Sequence, residues 1–302
     1  MSHDTRATGL ERSAPARRRT SPRRFLAGVG LVPFALYLLL FLALPTLLAI
    51  TSGVLVNGRL RLDNLGALVD PLILTTFWNS AWLSLVTAVL GAVLGALVCY
   101  ALLGMRETGP VRTVVDAASG VLAQVGGVML AFAFIATMGL QGVATQFLLQ
   151  TFGVDIFANG AWIYDLPGLV LPYLYFQVPL MVITFNPAMA ALKPAWAEAN
   201  LTLGGTRATF WTRIGIPVLA PSFLASLLLL FANAFSSYAT AAALASQGSQ
   251  IVTLQIRTAL TSETVLGRQN LAGVLALGMI VVIAVVMTAY SAAQRVASRW
   301  QS

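Results

Sequence analysis

Charge is what this chain has least of. Only 9% of its residues are Asp, Glu, Lys or Arg, against 58% hydrophobic, whereas soluble domains carry about 25% charged residues. With a mean hydropathy of +0.83, the chain reads as an integral membrane protein. Cysteine and histidine are nearly missing as well. The single Cys99 lies inside an apolar run, which excludes a disulfide framework or a thiolate metal cluster built from this chain. The single His3 sits at the N-terminal end, so no His-based metal site or His-dependent triad can be assembled. The one lysine, Lys193, stands between Leu192 and Pro194, so a Gly-Lys-Ser/Thr phosphate loop is ruled out. No cofactor is expected. No Asp, Glu, Lys, Arg or His falls well inside an apolar run. Proton-coupled carriers often use such residues as relays, so this absence argues against a proton-driven carrier, while a sodium site of backbone carbonyls stays open. If the chain moves a solute uphill, the energy must arrive from another subunit.

What the chain does have is long apolar runs. Residues 1–24 form a basic tail with Arg17-Arg18-Arg19 and Arg23-Arg24, expected to be disordered. Phe25 to Ile50 then runs without a charge, longer than the core of a signal peptide and long enough to span a bilayer. Further charge-free runs lie at 80–104, 117–140, 166–192, 217–245 and 271–291. Six spans put both ends of the chain on one side. Fourteen of the eighteen basic residues fall in the tail, 105–113, 192–217 and the C-terminus, which predicts those parts to be cytoplasmic. The expected division is the tail, a first helix with its outer loop over 25–75, a five-helix core over 76–295, and a cytoplasmic end at 296–302. Ile251 to Leu260 reads as a short helix packed on the bundle. Pro167, Pro172, Pro179 and Pro187 predict a kinked fourth span.

One polar island breaks the apolar pattern, Glu198 to Pro217, EANLTLGGTRATFWTRIGIP. Pro194 suits a first helical turn, where its missing N–H costs nothing. Trp196, Ala199 and Leu203 recur at helical spacing. The Gly204-Gly205 pair ends that helix, since glycine accepts the left-handed cap conformation. Thr206 can cap a second short helix, which Pro217 turns into the next apolar run. Such a loop either lies on the lipid surface or enters a groove on a partner. With only Arg207 and Arg213 following the glutamate, the lipid reading is the weaker one.

Glu198-Ala199, Gly204, Ile214 and Pro217 stand in the register of the EAA loop, and the chain resembles the membrane subunits of binding-protein-dependent ABC importers. Asn200 replaces the third residue of Glu-Ala-Ala, and Ile216 replaces a leucine. The resemblance implies an all-α membrane protein with six transmembrane helices in the type I ABC importer permease (MetI-like) fold. It implies a multi-pass protein of the bacterial inner membrane, not itself an enzyme. Its partners would be a separate ATPase subunit, a second permease subunit and an extracytoplasmic solute-binding protein, with no nucleic acid. Glu198, Ala199, Leu203, Gly204, Gly205, Ile214 and Pro217 would form the loop that inserts into the ATPase. A weaker likeness, from Asn233 through Tyr238 to Gln250 and over Gly267–Ala272, points to the spermidine/putrescine or 2-aminoethylphosphonate branch. Gln177, Asn186, Asn233, Ser236 and Ser237 are polar groups within spans; they either line the pathway or bond neighbouring helices. The alternative function is an ATP-independent channel or scaffold whose 194–210 helix binds lipid or another partner.

Overall fold

The computed structural model describes residues 31–56, 59–60, 66, 68–106, 109–158, 160–245, 251–261 and 268–301. The basic tail, Gln250 and Gly267 lie outside these residues. The chain divides into Met1–Leu48 and Ala49–Ser302. The first unit contributes one helix, α1 (Leu31–Leu48). It contains a wide π-turn, Leu39–Ala43, closed by the Leu44 N–H on the Leu39 carbonyl. Pro45 follows at once. A proline has no N–H to give the carbonyl four residues back, and widening the preceding turn lets the helix continue past it.

The second unit is almost entirely helical. Asp70 caps α2 (Pro71–Leu103), accepting the Leu72 N–H at 2.9 Å with Pro71 in the first turn. This cap starts the helix earlier than the apolar run at 80–104 suggests. Next come α3 (Pro110–Leu122), α4 (Gly127–Met138) and α5 (Val143–Phe152). After two 3-10 turns the chain enters α6 (Val170–Ala190), which runs unbroken through Pro179 and Pro187. Then follow α7 (Pro194–Thr202), α8 (Arg207–Phe210), α9 (Ile216–Ser236) and α10 (Ala239–Leu244). The unit closes with α11 (Val252–Thr261) and α12 (Arg268–Gln301). The α11 helix matches the expected short helix and packs on α12 and α2.

Six helices among the described residues are long and apolar enough to cross a membrane. The all-α, six-span expectation therefore holds, with three revisions. The run 117–140 is not one helix: it breaks at 123–126, where Gly127 adopts φ +76°, and the third span is Gly127–Phe152. The third span thus takes in α5, beyond the end of that apolar run. Second, Pro217 does not turn one helix into another. A second π-turn, Trp211–Gly215, closed by the Ile216 N–H on the Trp211 carbonyl, joins α8 to α9, so the fifth span runs continuously over Arg207–Ser236. It ends at Ser237, before the end of the run at 245. Third, α12 extends beyond 271–291 at both ends.

The core is built on α2 and α6. The buried stripe of α2 is made of small residues, among them Ser84, Ala88, Gly91, Gly95 and Cys99. Small residues let membrane helices approach closely where no water drives them together. A Cβ on Gly91 would lie 2.8 Å from the Gln177 Cβ, and one on Gly95 would lie 2.5 Å from the Met181 Cβ and 2.9 Å from the Val178 carbonyl. The Cys99 thiol points at the Val182 carbonyl, 3.8 Å away. Helix α9 packs against both α2 and α6, and α12 packs on α9. Gly95→Val should therefore lower the thermal midpoint of the purified chain, overpacking of this kind costing about 1–3 kcal/mol. Gly120→Ala, inside α3 where a methyl would meet nothing within 4 Å and alanine is the better helix former, should not lower the midpoint.

Candidate functional site

The 194–217 island folds as two short helices joined by a tight, fully bonded turn. Pro194 occupies the first turn of α7. Lys193, just before it, places its ammonium 5.8 Å from the centre of the Trp196 ring. No residue of α7 is buried. Glu198 and Ala199 are exposed, and so are Leu201 and Leu203, the latter 88% exposed. Among the described residues Glu198 makes no ion pair or hydrogen bond with its side chain. The island thus exposes one acid, Glu198, and two large apolar side chains, Leu201 and Leu203.

The turn itself is a Schellman cap. Gly204, at φ +77°, donates to the Leu201 carbonyl at 3.0 Å, and Gly205 donates to the Asn200 carbonyl at 2.8 Å. Asn200 adds a staple that sequence reading treated only as a departure from Glu-Ala-Ala. Its Nδ2 donates to the Thr206 carbonyl at 3.0 Å. A Cβ on Gly205 would land on the Asn200 carboxamide. Thr206 then caps α8, its Oγ1 accepting from the Thr209 N–H at 3.2 Å. Past the turn, Gly215 is buried with the Trp211 ring against it, while Ile214 is half-buried and Pro217 exposed.

Trp211 ties the island to the bundle. Its ring meets Tyr100 edge-on at 5.3 Å and Phe210 at 5.6 Å, and it packs on the α2–α6–α9 core. Between the end of α2 and the island lies a groove of about 590 Å³, lined by Tyr100, Gly104, Ala197, Leu201 and Arg207 among others.

The five polar residues within spans separate into three places. Gln177 is fully buried, its Nε2 donating to the Thr87 Oγ1 at 3.2 Å across α2 and α6, while its Oε1 has no partner among the described residues. Asn186 donates to Asp116 on α3 at 3.4 Å, beside the Arg112–Asp116 pair at 3.8 Å. Asn233, Ser236 and Ser237 come together in a cleft of about 250 Å³, facing the α3–α4 break at Gln124, Gly126 and Gly127. The Ser237 carbonyl accepts from the Tyr173 hydroxyl at 3.2 Å and from the Thr253 hydroxyl at 3.4 Å. Gln124 and Thr240, also in this cleft, were not singled out in the sequence; the signal was a Gln-Val-Gly-Gly step inside an apolar run. Among the described residues no group of three or more His, Cys, Asp or Glu could hold a metal ion.

No protein-family model matches the chain. It is 25% identical over 222 residues to the sulfate transport system permease protein CysT of Salmonella typhimurium, covering 72% of this chain and 75% of that protein. It is 24% identical over 196 residues to the trehalose transport system permease protein SugB of Mycobacterium tuberculosis, covering 65% and 64%. Among solved structures, the bacterial alginate ABC transporter in complex with its alginate pentasaccharide-bound periplasmic protein contains a chain that superposes with a TM-score of 0.72. That chain is 19% identical, and the match covers 91% of this chain and 96% of that one. The fold is that of ABC importer permeases.

The Asn200 staple makes a measurable prediction. Asn200→Ala should raise amide exchange over 206–210 about threefold to tenfold, the loss of one hydrogen bond, in hydrogen-exchange mass spectrometry. Gly205→Ala should do the same by displacing the carboxamide. The double variant should add little to either.

Proposed function

We propose that this chain is a transmembrane permease subunit of an ATP-driven, binding-protein-dependent importer, forming half of the pathway for a small polar solute. The observation that carries the reading is the capped α7, none of whose residues is buried, with Glu198, Ala199 and Gly204 in the EAA register, on a bundle with the importer-permease fold. Glu198 supplies the polar contact with the ATPase groove and Leu203 an apolar one. Gly204 and Gly205 let the partner's backbone approach. Ile214 and Pro217 lead the motion into α9. A separate ATPase binds on the cytoplasmic side, a second permease pairs with the bundle, and a solute-binding protein delivers cargo from outside. The chain itself hydrolyses nothing.

The geometry suits this role mechanically. Because α8 passes through a π-turn into α9 without a stop, a push on the loop reaches a helix packed on α2, α6 and α12. Reversing a two-state bundle from 1:99 to 99:1 takes about 5.5 kcal/mol of differential binding, which a rigid loop can transmit and a loose one would lose. Cargo is the finer question. The relatives' names speak of sulfate and trehalose, so they lend no support to the polyamine or phosphonate branch.

The test is purification of the tagged chain from its own host in mild detergent, with mass spectrometry of what accompanies it. An ATPase and a second permease should be recovered. Both should be lost in Gly204→Glu, whose side chain meets nothing within 4 Å but strains the left-handed turn that ends α7, outside the packed bundle. Gly204→Asn, which tolerates the left-handed conformation, should retain them. Recovery of the inserted wild-type chain alone would favour an ATP-independent channel or scaffold.

A further inference from the structure

Two interrupted membrane helices meet in the 250 Å³ cleft. The break before α4 and the end of α9 face each other, and the Gly127 N–H donates to the Thr240 Oγ1 at 2.9 Å. The cleft lies beside Phe176, near the middle of the span Leu166–Ala190. Broken helices in that position are where transporters place polar backbone and side chains at membrane depth. A complete small-molecule pocket is roughly 300–1,000 Å³, so this volume suits one half of a paired site.

The chemistry of the lining is specific. The Gln124 and Asn233 carboxamides are exposed in the cleft and make no hydrogen bond among the described residues. Each carboxamide offers both a carbonyl acceptor and an NH₂ donor. The Ser236 hydroxyl proton is committed to the Ala232 and Asn233 carbonyls at 2.9 and 3.2 Å, so Ser236 presents lone pairs. Thr240 is the converse: it already accepts from Gly127 and keeps its own proton. No charged residue lines the cleft.

We infer that this cleft is a solute contact site for an uncharged, hydroxyl-bearing solute of the sugar or polyol class, read by Gln124 and Asn233; the inference rests on the permease reading above. A hydroxyl both gives and takes a hydrogen bond and satisfies the mixed lining. An oxyanion only accepts: it can take the two carboxamide NH₂ groups, but the Ser236 lone pairs face its charge and no cationic residue lines the cleft to offset it. A polyammonium only donates, and would find no carboxylate to offset a charge that is costly at this depth.

The experiment compares the native host with strains lacking the gene and complemented by the full chain or its variants. Depletion from the medium is followed for three mixtures: glucose, trehalose, maltose and mannitol; sulfate, phosphate and 2-aminoethylphosphonate; and spermidine with putrescine. Loss of the gene should abolish uptake of a member of the first mixture. Gln124→Leu and Asn233→Leu should each cut that uptake roughly tenfold with membrane abundance and ATPase recovery unchanged, since neither side chain holds the fold. Dependence on an oxyanion or a polyamine, or wild-type uptake by both leucine variants, would overturn the inference. So would the absence of any dependent solute, while ATPase recovery would leave the permease reading standing. Failure to recover the ATPase would sink both.

Discussion

The bundle depends on how closely α2 can lie against α6. In a bilayer, lipid tails are as apolar as the side chains they would replace, so helices are held by packing and by internal polar contacts. Gly91 and Gly95 remove the side chains that would keep the two axes apart, and the Gln177 and Met181 side chains with the Val178 carbonyl fill the space they leave. That approach brings the Gln177 carboxamide to Thr87, a bond that no longer separation would permit. Helix α9 lies across the resulting pair, and α12 lies on α9.

Trp211 links this core to the exposed island. Its ring sits on Tyr100 at the end of α2, and the π-turn it opens leads directly into α9. The two π-turns among the described residues each precede a proline by the same interval, Ala43 before Pro45 and Gly215 before Pro217. In both, the wider turn removes the need for the N–H that proline lacks, and the helix survives. For the island this means a continuous rod from Arg207 to Ser236, where a hinge at Pro217 would have uncoupled the loop from the bundle. The Asn200 staple stiffens the other side of the same turn.

Class, helix content and the number of spans were legible in the sequence. Scarce charge and six long apolar runs leave few other outcomes in a chain of this length. The island's cap was also legible, because Pro194, Gly204 and Thr206 act locally, through backbone conformation and hydrogen bonds to near neighbours. The helix ends were less so. The run at 117–140 looks uniform in hydropathy, and only the placement of Gln124 through Gly127 shows that it contains a break. Nor does hydropathy reveal that α9 stops at Ser237 in the middle of an apolar run.

The remaining features were decided by tertiary structure. Gln177, Asn186 and Asn233 look alike in sequence, each a carboxamide in an apolar stretch. Packing makes the first a buried tie between α2 and α6, the second a partner of Asp116, and the third an open group in a cleft. Which of these a residue becomes depends on what a distant helix brings opposite it. Local chemistry therefore determined the spans and the shape of the loop, while the helix that tertiary packing placed opposite each polar group decided whether it was bonded within the bundle, as Gln177 and Asn186 are, or left open in a cleft, as Asn233 is.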